Sequence, residues 1–363
     1  KGISLFLVPK FVVKNDGSVG SRNGVNTGSI ETKMGIKGSP TCVLNFENST
    51  GYMIGPENKG LGSMFTMMNL ERIVVGIQGL GIAETAYQNA LAYAKERKQG
   101  KANNSKNNDA DLIIKHPDIR RSLMNMKSLI EGQRSLAFWV SQQIDVSLNH
   151  SDQNIKSGAN DLVSLMTPLI KSFFTDIGME ITNDAIQVFG GYGYTKDQGV
   201  EQLFRDNRIT PIYEGTNSIQ AIDLVYRKIL NNKIFDKYIH QLTDEIKNYD
   251  KDKNLAPFVN KFQKYLELLN NFTLWLGEKN KNSKDDVSSA CNDYLKVLGY
   301  VSLSHTWLKI LNVSYINFNK NKTFFEDKIN TATYYFDKIL PRAQSHYLSA
   351  ITGSKTMMKT NFN

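Results

Sequence analysis

The chain has 363 residues, 40% of them hydrophobic and 22% charged, an ordinary globular balance at a length that allows two or three domains with cores of their own. No uninterrupted apolar run approaches the length of a bilayer span, and no signal peptide is visible in the residues present. The net charge of +9 invites a nucleic-acid reading, but the basic residues, 19 against 13 acidic ones from Asn231 onward, are scattered among asparagines and acids. A solvated Lys/Asn-rich surface accounts for them better than a phosphate-binding stripe.

Residues Ile3–Val8 alternate like a strand, NDGSVGSRNG carries hairpin chemistry, and Thr41–Phe46 reads as another strand before the turn-rich PENKGLG. The period changes at Ser63. Met64–Lys98 can be one helix, with Phe65, Met68, Arg72, Val75, Gly79, Ile82 and Ala86 at helical steps. After the polar loop QGKANNSKNNDAD, His116-Pro117-Asp118 opens a second helix running to about Asn149. A third helical stretch, from about Ala159 to Phe189, carries Pro168 and is expected to be interrupted or kinked there. A GGYGY loop, a short helix over Val200–Arg205 and a helix after Thr216 follow. Past Asn232 come amphipathic helices over Phe235–Tyr249, Phe258–Leu276, Val287–Phe318 and Phe324–Ala350. The expected fold is multidomain α and β: a partial β-domain over residues 1–62, a four-helix bundle over 63–232 and a further all-helical domain over 233–363.

Cys42 and Cys291 lie far apart with no metal or redox spacing, and read as two buried free thiols in a reducing, cytoplasmic compartment. The five histidines show no ligand spacing, so no metal is expected. Four stretches remain that could carry chemistry. Arg72 in MMNLERIVVG lies on an apolar helix face and fits a snorkelling, ion-paired arginine as well as an anion-binding one. Arg97 in YAKERKQGK suits a helix C-terminus or a phosphate. The glycines of QVFGGYGYT serve a C-cap or an anion nest. The glycines of GIQGLG, inside a helix with no strand before it, read as close helix packing. In PIYEGTNSIQ, Thr216 looks like an N-cap, and Glu214 just before it would by default be an acid near the positive helix end.

Taken in order, KMGIKGSPTCVLNFENSTGYMIGPENKGL, MNLERIVVGIQGLGIAETAYQNALAYAKERKQG and DAIQVFGGYGYTKDQGVEQLFRDNRITPIYEGTNSIQA closely resemble the second half of the acyl-CoA dehydrogenase family, from Lys1 to about Arg227. SPTCV, MFTMMN, HPDIRR, YEGTNSIQA and the extra C-terminal helices are most similar to the branch containing 3-methylmercaptopropionyl-CoA dehydrogenases.

The resemblance implies FAD-dependent α,β-dehydrogenation of an acyl-CoA thioester. Glu214 would be the base that takes the α-proton while a β-hydride leaves for the flavin, and drying of its pocket would strengthen a carboxylate as a base. The backbone N–H of Glu214 would polarise the thioester carbonyl. Gly215 would permit the turn at the substrate, and Thr216 would touch the flavin. Arg72 would lie near the CoA moiety, with Asn69 where many relatives carry aspartate. Arg97, Gln187, Gly190 and Gly191 would reach the FAD of a neighbouring subunit, which implies a homodimer or higher oligomer. An electron-transfer flavoprotein would be the usual electron acceptor. An acyl-CoA oxidase, or a nucleic-acid-binding flavoprotein of the alkylation-response branch, would keep the same scaffold.

Two departures stand out: a phenylalanine common between positions 99 and 100 is absent, and Ser218 replaces a flavin-binding glutamine. Lys1 is no initiator methionine, and the family's N-terminal helical domain and a flavin-contacting strand segment would precede it. The residues given would not complete the pocket by themselves.

Overall fold

The computed structural model describes residues 1–363 apart from residues 104, 107, 232, 233, 248, 250 and 363. The described chain divides into two compact units, Lys1–Arg72 and Ile73–Asn363.

The first unit contains six short strands: β1 (Leu5–Leu7), β2 (Phe11–Val13), β3 (Val19–Arg22), β4 (Val25–Ile30), β5 (Cys42–Phe46) and β6 (Tyr52–Ile54). They pair antiparallel as β1 with β6, β2 with β3 and β4 with β5. The expected hairpin at NDGS joins β2 to β3. Its turn closes where the Lys14 N–H donates to the Ser18 carbonyl at 3.0 Å, while Asp16 Oδ1 accepts from the Ser18 N–H at 3.0 Å. Buried Asn23 ties the strand pairs together. Its amide donates to the carbonyls of Pro9 and Thr50, both at 2.8 Å, and accepts from the Thr50 N–H. β1 is shorter than the expected Ile3–Val8, and β5 matches Thr41–Phe46 apart from its first residue; β2, β3, β4 and β6 are not singled out by the sequence, and β2 and β6, with three residues each, are too short for a period-2 pattern to reveal.

Helix α1 (Gly60–Glu96) begins in the first unit and continues into the second. In the second unit α2 (Pro117–Asn149) starts at its proline as expected, whereas α3 (Gln153–Phe189) starts six residues earlier than its apolar pattern. The reason is a cap: Asp152 Oδ1 accepts from the N–H groups of Asn154 (2.7 Å) and Ile155 (3.3 Å). Pro168 does not interrupt α3, because tertiary packing overrides the local cost: Leu165, Met166, Leu169, Ile170, Phe173 and Phe174 around it are buried. By length and composition α3 alone among the described helices could cross a membrane, and most of its apolar stretch is buried inside this unit, as in the core helix of a globular fold.

Close approach of α1 to α3 accounts for the GIQGLG glycines only in part. A Cβ on Gly76 would lie 2.7 Å from the Ile170 carbonyl oxygen, and one on Gly79 would lie 3.2 Å from Thr175 Cα. Gly81 faces open space, so its glycine serves no packing.

Beyond α4 (Val200–Asn207), α5 (Asn217–Asp223) and a π-helical turn over Leu224–Leu230 come α6 (Ile234–Ile246), α7 (Ala256–Asn282), α8 (Lys284–Asn317), α9 (Lys322–Tyr334), α10 (Arg342–Ala350) and α11 (Lys355–Lys359). α8 is the hub of this region, packing on α2, α3, α5, α7, α9 and α10. Trp307 on α8 is fully buried, and its indole N–H donates to the Ser128 carbonyl of α2 at 3.2 Å. The single helix expected over Phe324–Ala350 is broken. Tyr335–Ile339 widens into a π turn, and Pro341, with no N–H to donate, separates α9 from α10. Both cysteines are free, as expected, but only Cys291 is buried, which pushes its thiol up to about 12; Cys42 is half-buried.

Within this core His305 donates from Nε2 to Glu245 at 2.8 Å, while its Nδ1 is buried without a partner. Burial pushes the His305 imidazole below its ordinary value, against the opposing pull of Glu245. Burial acts to raise the Glu245 carboxyl, but hydrogen bonds from His305 and Lys309 outweigh it and hold the group at about 2. A depressed imidazole binds its proton more readily in the unfolded chain. It therefore contributes stability that is present above the unfolded value and lost as pH falls. The denaturant midpoint is expected to decline below about pH 6.5, the ordinary imidazole value, and His305→Gln should flatten that decline; equal slopes for the two proteins would show that His305 does not titrate in this way. In a urea titration, Gly76→Ala should lose about 1–3 kcal/mol by overpacking, whereas Gly81→Ala should gain up to about 1 kcal/mol from helix propensity. Equal midpoints for these two variants would show that α1 and α3 are not in tight contact.

Candidate active site

Side chains of the turn itself and of α5, together with Lys171 from α3, hold the turn that carries Glu214. The turn follows α4 and leads into α5, whose N-cap is Thr216: its hydroxyl accepts from the Ile219 N–H at 3.4 Å. The Asn217 N–H returns to the Pro211 carbonyl at 3.0 Å, which closes the loop. Such a tight reversal forces two successive residues into the left-handed region, Glu214 at φ +55° and Gly215 at φ +82°. Glycine takes this conformation without strain, but a glutamate there costs about 1–3 kcal/mol unless its surroundings over-determine it.

The surroundings do so. Gln220, fully buried on α5, donates from Nε2 to the Glu214 carbonyl at 2.9 Å. Lys171, fully buried on α3, donates to the Gly215 carbonyl at 2.7 Å and to Asn217 Oδ1 at 2.9 Å. The Asn217 amide then donates to the Ser172 carbonyl (3.1 Å), Thr175 Oγ1 (3.0 Å) and Asp176 Oδ1 (2.7 Å). Tyr213 reaches across to α1 and hydrogen-bonds Gln78. The Glu214 side chain is half-buried, and no described residue ion-pairs with its carboxylate or hydrogen-bonds to it. A fixed backbone thus presents a carboxylate that no described residue pairs.

The sequence singled out Glu214, Gly215 and Thr216, and the structure places them on this turn. It did not single out Lys171, Asn217 or Gln220. One signal was available for Lys171: it is the lone charge in the run LMTPLIKSFF.

A second grouping lies where α1 and α3 end. Arg97, Gln187, Gly190 and Gly191 line one open cleft of about 790 Å³, with His116 and Tyr192. Local chemistry shapes it. Gly190 ends α3 at φ +62°, the Arg97 guanidinium lies 5.5 Å from the Tyr192 ring centre, and Tyr93 stacks on Phe189 at 4.2 Å below. The loop beside it is pinned by buried Asp111, whose carboxylate accepts from the Ala102 N–H (3.1 Å) and Lys115 Nζ (2.8 Å). A Cβ on Gly190 or Gly191 would meet nothing within 4 Å, so the cleft has room over its glycine floor. A guanidinium, a carboxamide and an open glycine turn fit the phosphates and polar edges of a flavin nucleotide. Glu214, Gly215 and Thr216 are not among the residues lining this cleft.

Asn69 and Arg72 belong to the first unit, on the opening turns of α1. Asn69 is exposed; Arg72 is half-buried, with its guanidinium 5.8 Å from the Phe65 ring centre.

Two family models match the chain: the acyl-CoA dehydrogenase C-terminal domain over residues 58–230 and the acetyl-CoA dehydrogenase C-terminal-like domain over residues 238–361. Among curated relatives, a 3-methylmercaptopropionyl-CoA dehydrogenase from Ruegeria pomeroyi is 43% identical over 232 residues, covering 64% of this chain and 39% of the relative. A butyryl-CoA dehydrogenase from Syntrophomonas wolfei is 39% identical over 267 residues, covering 71% of this chain and 44% of the relative. The chain therefore spans about two fifths of the length of these relatives. In fold it is similar to Caenorhabditis elegans ACDH-11 in complex with C11-CoA, with a TM-score of 0.74 at 18% identity, covering 97% of this chain and 60% of that one. It is also similar to an acyl-CoA dehydrogenase complexed with FAD from Bacillus anthracis, with a TM-score of 0.72 at 19% identity, covering 92% of this chain and 58% of that one. With two dehydrogenase C-terminal models spanning most of its length, the chain belongs to the acyl-CoA dehydrogenase family.

Proposed function

We propose that the intact protein dehydrogenates an acyl-CoA thioester between its α- and β-carbons, with Glu214 as the base. The observation that carries this reading is the Glu214 turn: a half-buried carboxylate that no described residue pairs, on a backbone held left-handed by buried partners. Strain of this kind persists where the surrounding structure enforces it, and enforcement is what a positioned base requires. Bound FAD would supply the acceptor for the hydride that leaves the β-carbon. The chain's own part is to take the α-proton on the Glu214 carboxylate and to offer the Glu214 N–H to the thioester oxygen, where negative charge grows as the proton departs. Gly215 would keep a side chain away from that approach, and Thr216 would contact the flavin.

Arg97, Gln187, Gly190 and Gly191 would hold the flavin nucleotide of a neighbouring subunit. Their exposure on an open cleft supports a group supplied from outside the protomer, and with it a homo-oligomer. Arg72 and Asn69 would serve the CoA moiety, Arg72 as the cation. The domain boundaries near residues 62 and 232 belong to the same reading, supported by the limits of the two family models. For the acyl group we favour 3-methylmercaptopropionyl-CoA, on the strength of the 43% identical relative, with butyryl-CoA next; an electron-transfer flavoprotein would take the electrons onward.

Mixing the intact, FAD-loaded protein with each thioester under anaerobic conditions should bleach its visible flavin absorbance, fastest with the β-thioether substrate. A faster reaction with butyryl-CoA would move the substrate assignment there. Glu214→Gln should slow bleaching by about 10²–10⁴-fold with the flavin still bound; a rate equal to that of the unaltered protein would remove Glu214 as the base. Arg97→Ala should weaken flavin retention by about 10–100-fold, read from the free FAD released on dilution. Unchanged retention would take Arg97 out of the cofactor site.

A further inference from the structure

We infer that Lys171 is a positioning residue for the Glu214 base: its buried ammonium fixes the Gly215 peptide and through it the direction of the Glu214 side chain. This deepens the proposed dehydrogenation and rests on it.

The argument begins with cost. Lys171 is 0% exposed, in a stretch of α3 whose other buried side chains include Met166, Leu169, Ile170, Phe173 and Phe174. Taking an ammonium out of water costs several kcal/mol, and hydrophobic replacements of similar volume are often neutral or stabilising. Packing of α3 alone would be served as well by methionine. The ammonium lies at hydrogen-bond distance from the carbonyl of the residue following Glu214, at 2.7 Å, and from Asn217, two residues further on, at 2.9 Å. Charge-assisted bonds of this kind are short, directional and about twice as strong as neutral ones.

The second step is geometric. Glu214 and Gly215 are both left-handed, so the turn leaves the ordinary conformational basins just where the carboxylate is attached. Gln220 holds the carbonyl of Glu214, and Lys171 holds the carbonyl of Gly215. Two successive peptide groups are thereby fixed from different elements, α5 and α3. With the Gly215 carbonyl released, that peptide can rotate and the backbone at Glu214 can relax out of its strained region, which turns the Cα–Cβ bond and re-aims the carboxylate. The Glu214 N–H, proposed to meet the thioester oxygen, would move with it. Asn217 completes the tie, since its amide bridges Lys171 to Ser172, Thr175 and Asp176 on α3. The turn is in effect docked on one face of α3 through a lysine and an asparagine.

The test uses the intact, FAD-loaded protein and Lys171→Met, which keeps the apolar stem and removes the donors. Anaerobic bleaching by butyryl-CoA should slow by about 100-fold, the scale set by a misplacement of about 1 Å. FAD content should stay unchanged, and the butyryl-CoA dissociation constant should stay within about threefold, so that the loss is in rate rather than binding. A thioester with sulfur in place of the β-carbon can lose its α-proton but cannot yield a β-hydride. Its long-wavelength absorption band, from an enolate stacked on the flavin, should be strong in the unaltered protein and much weaker in Lys171→Met. Unaltered protein that neither bleaches nor gives the band would refute the dehydrogenation reading itself. Unaltered protein that does both, beside a Lys171→Met protein equal to it in rate and band, would overturn only the role of Lys171. A rate loss matched by equal loss of FAD or of substrate binding would also overturn it, as general destabilisation. If Lys171→Met does not fold, Asn217→Ala decides: slower bleaching and a weaker band with FAD retained support the tie, and an unchanged rate and band refute it.

Discussion

The middle of helix α3, residues 165–175, is buried on every side, and that constraint organises the second unit. It carries Leu165, Met166, Leu169, Ile170, Phe173 and Phe174 beside polar Thr167, Lys171, Ser172 and Thr175, and each fully buried leucine or phenylalanine contributes about 1.5–3 kcal/mol relative to exposure. α1, α2, α5 and α8 each cover part of it: α1 through the Gly76 and Gly79 contacts, α2 along its length, α5 and α8 on further faces. A helix enclosed in this way becomes a fixed reference for whatever it touches. The Glu214 turn touches it through Lys171, the charged side chain buried in this stretch of α3.

The position of the carboxylate therefore depends on the core rather than on the loop that bears it. A seven-residue turn with two left-handed positions would relax if left to local preferences. The hydrogen bonds from Lys171, Gln220 and Asn217 transfer the rigidity of α3 and α5 to the turn, and Tyr213 adds a tie to α1. The helices that follow reinforce the same arrangement from behind. α8 packs on α3 and α5 together, so the region beyond residue 233 braces the two elements that hold the turn. That gives the C-terminal helices a mechanical relation to the site without any of them contributing a reacting group.

The cleft at the end of α3 follows a different logic. Arg97 and Gln187 are exposed, Gly190 and Gly191 have open space above them, and the stacked pair Tyr93–Phe189 packs beneath. A site whose polar groups face outward from a firm base is built to meet a group presented to it. The Glu214 turn has the opposite construction, with its binding groups turned inward to hold its own backbone.

Much of this was legible before any coordinates, and the reason is chemical. The long periodic stretches declared their helices and the proline after His116 marked a helix start, whereas Glu214 by itself read as an acid near the positive end of a helix. The sequence also carried the family's motif order, hence the candidate base and the Arg97–Gly191 set. Boundaries that depend on a single cap or on burial escaped it: Asp152 extends α3, packing carries the helix through Pro168, and Pro341 splits the expected helix over Phe324–Ala350. Periodicity does not report these: the Asp152 cap and the Pro341 break are single-residue signals outside the apolar pattern, and the path through Pro168 is decided by the neighbours that bury it. Lys171 is the sharpest case. A lone lysine in an apolar run can be read as an anomaly, but its partners lie more than forty residues along the chain. Only the folded core brings that ammonium to the Gly215 carbonyl, because hydrogen bonds act over about 3 Å and follow contact in space, not order in sequence.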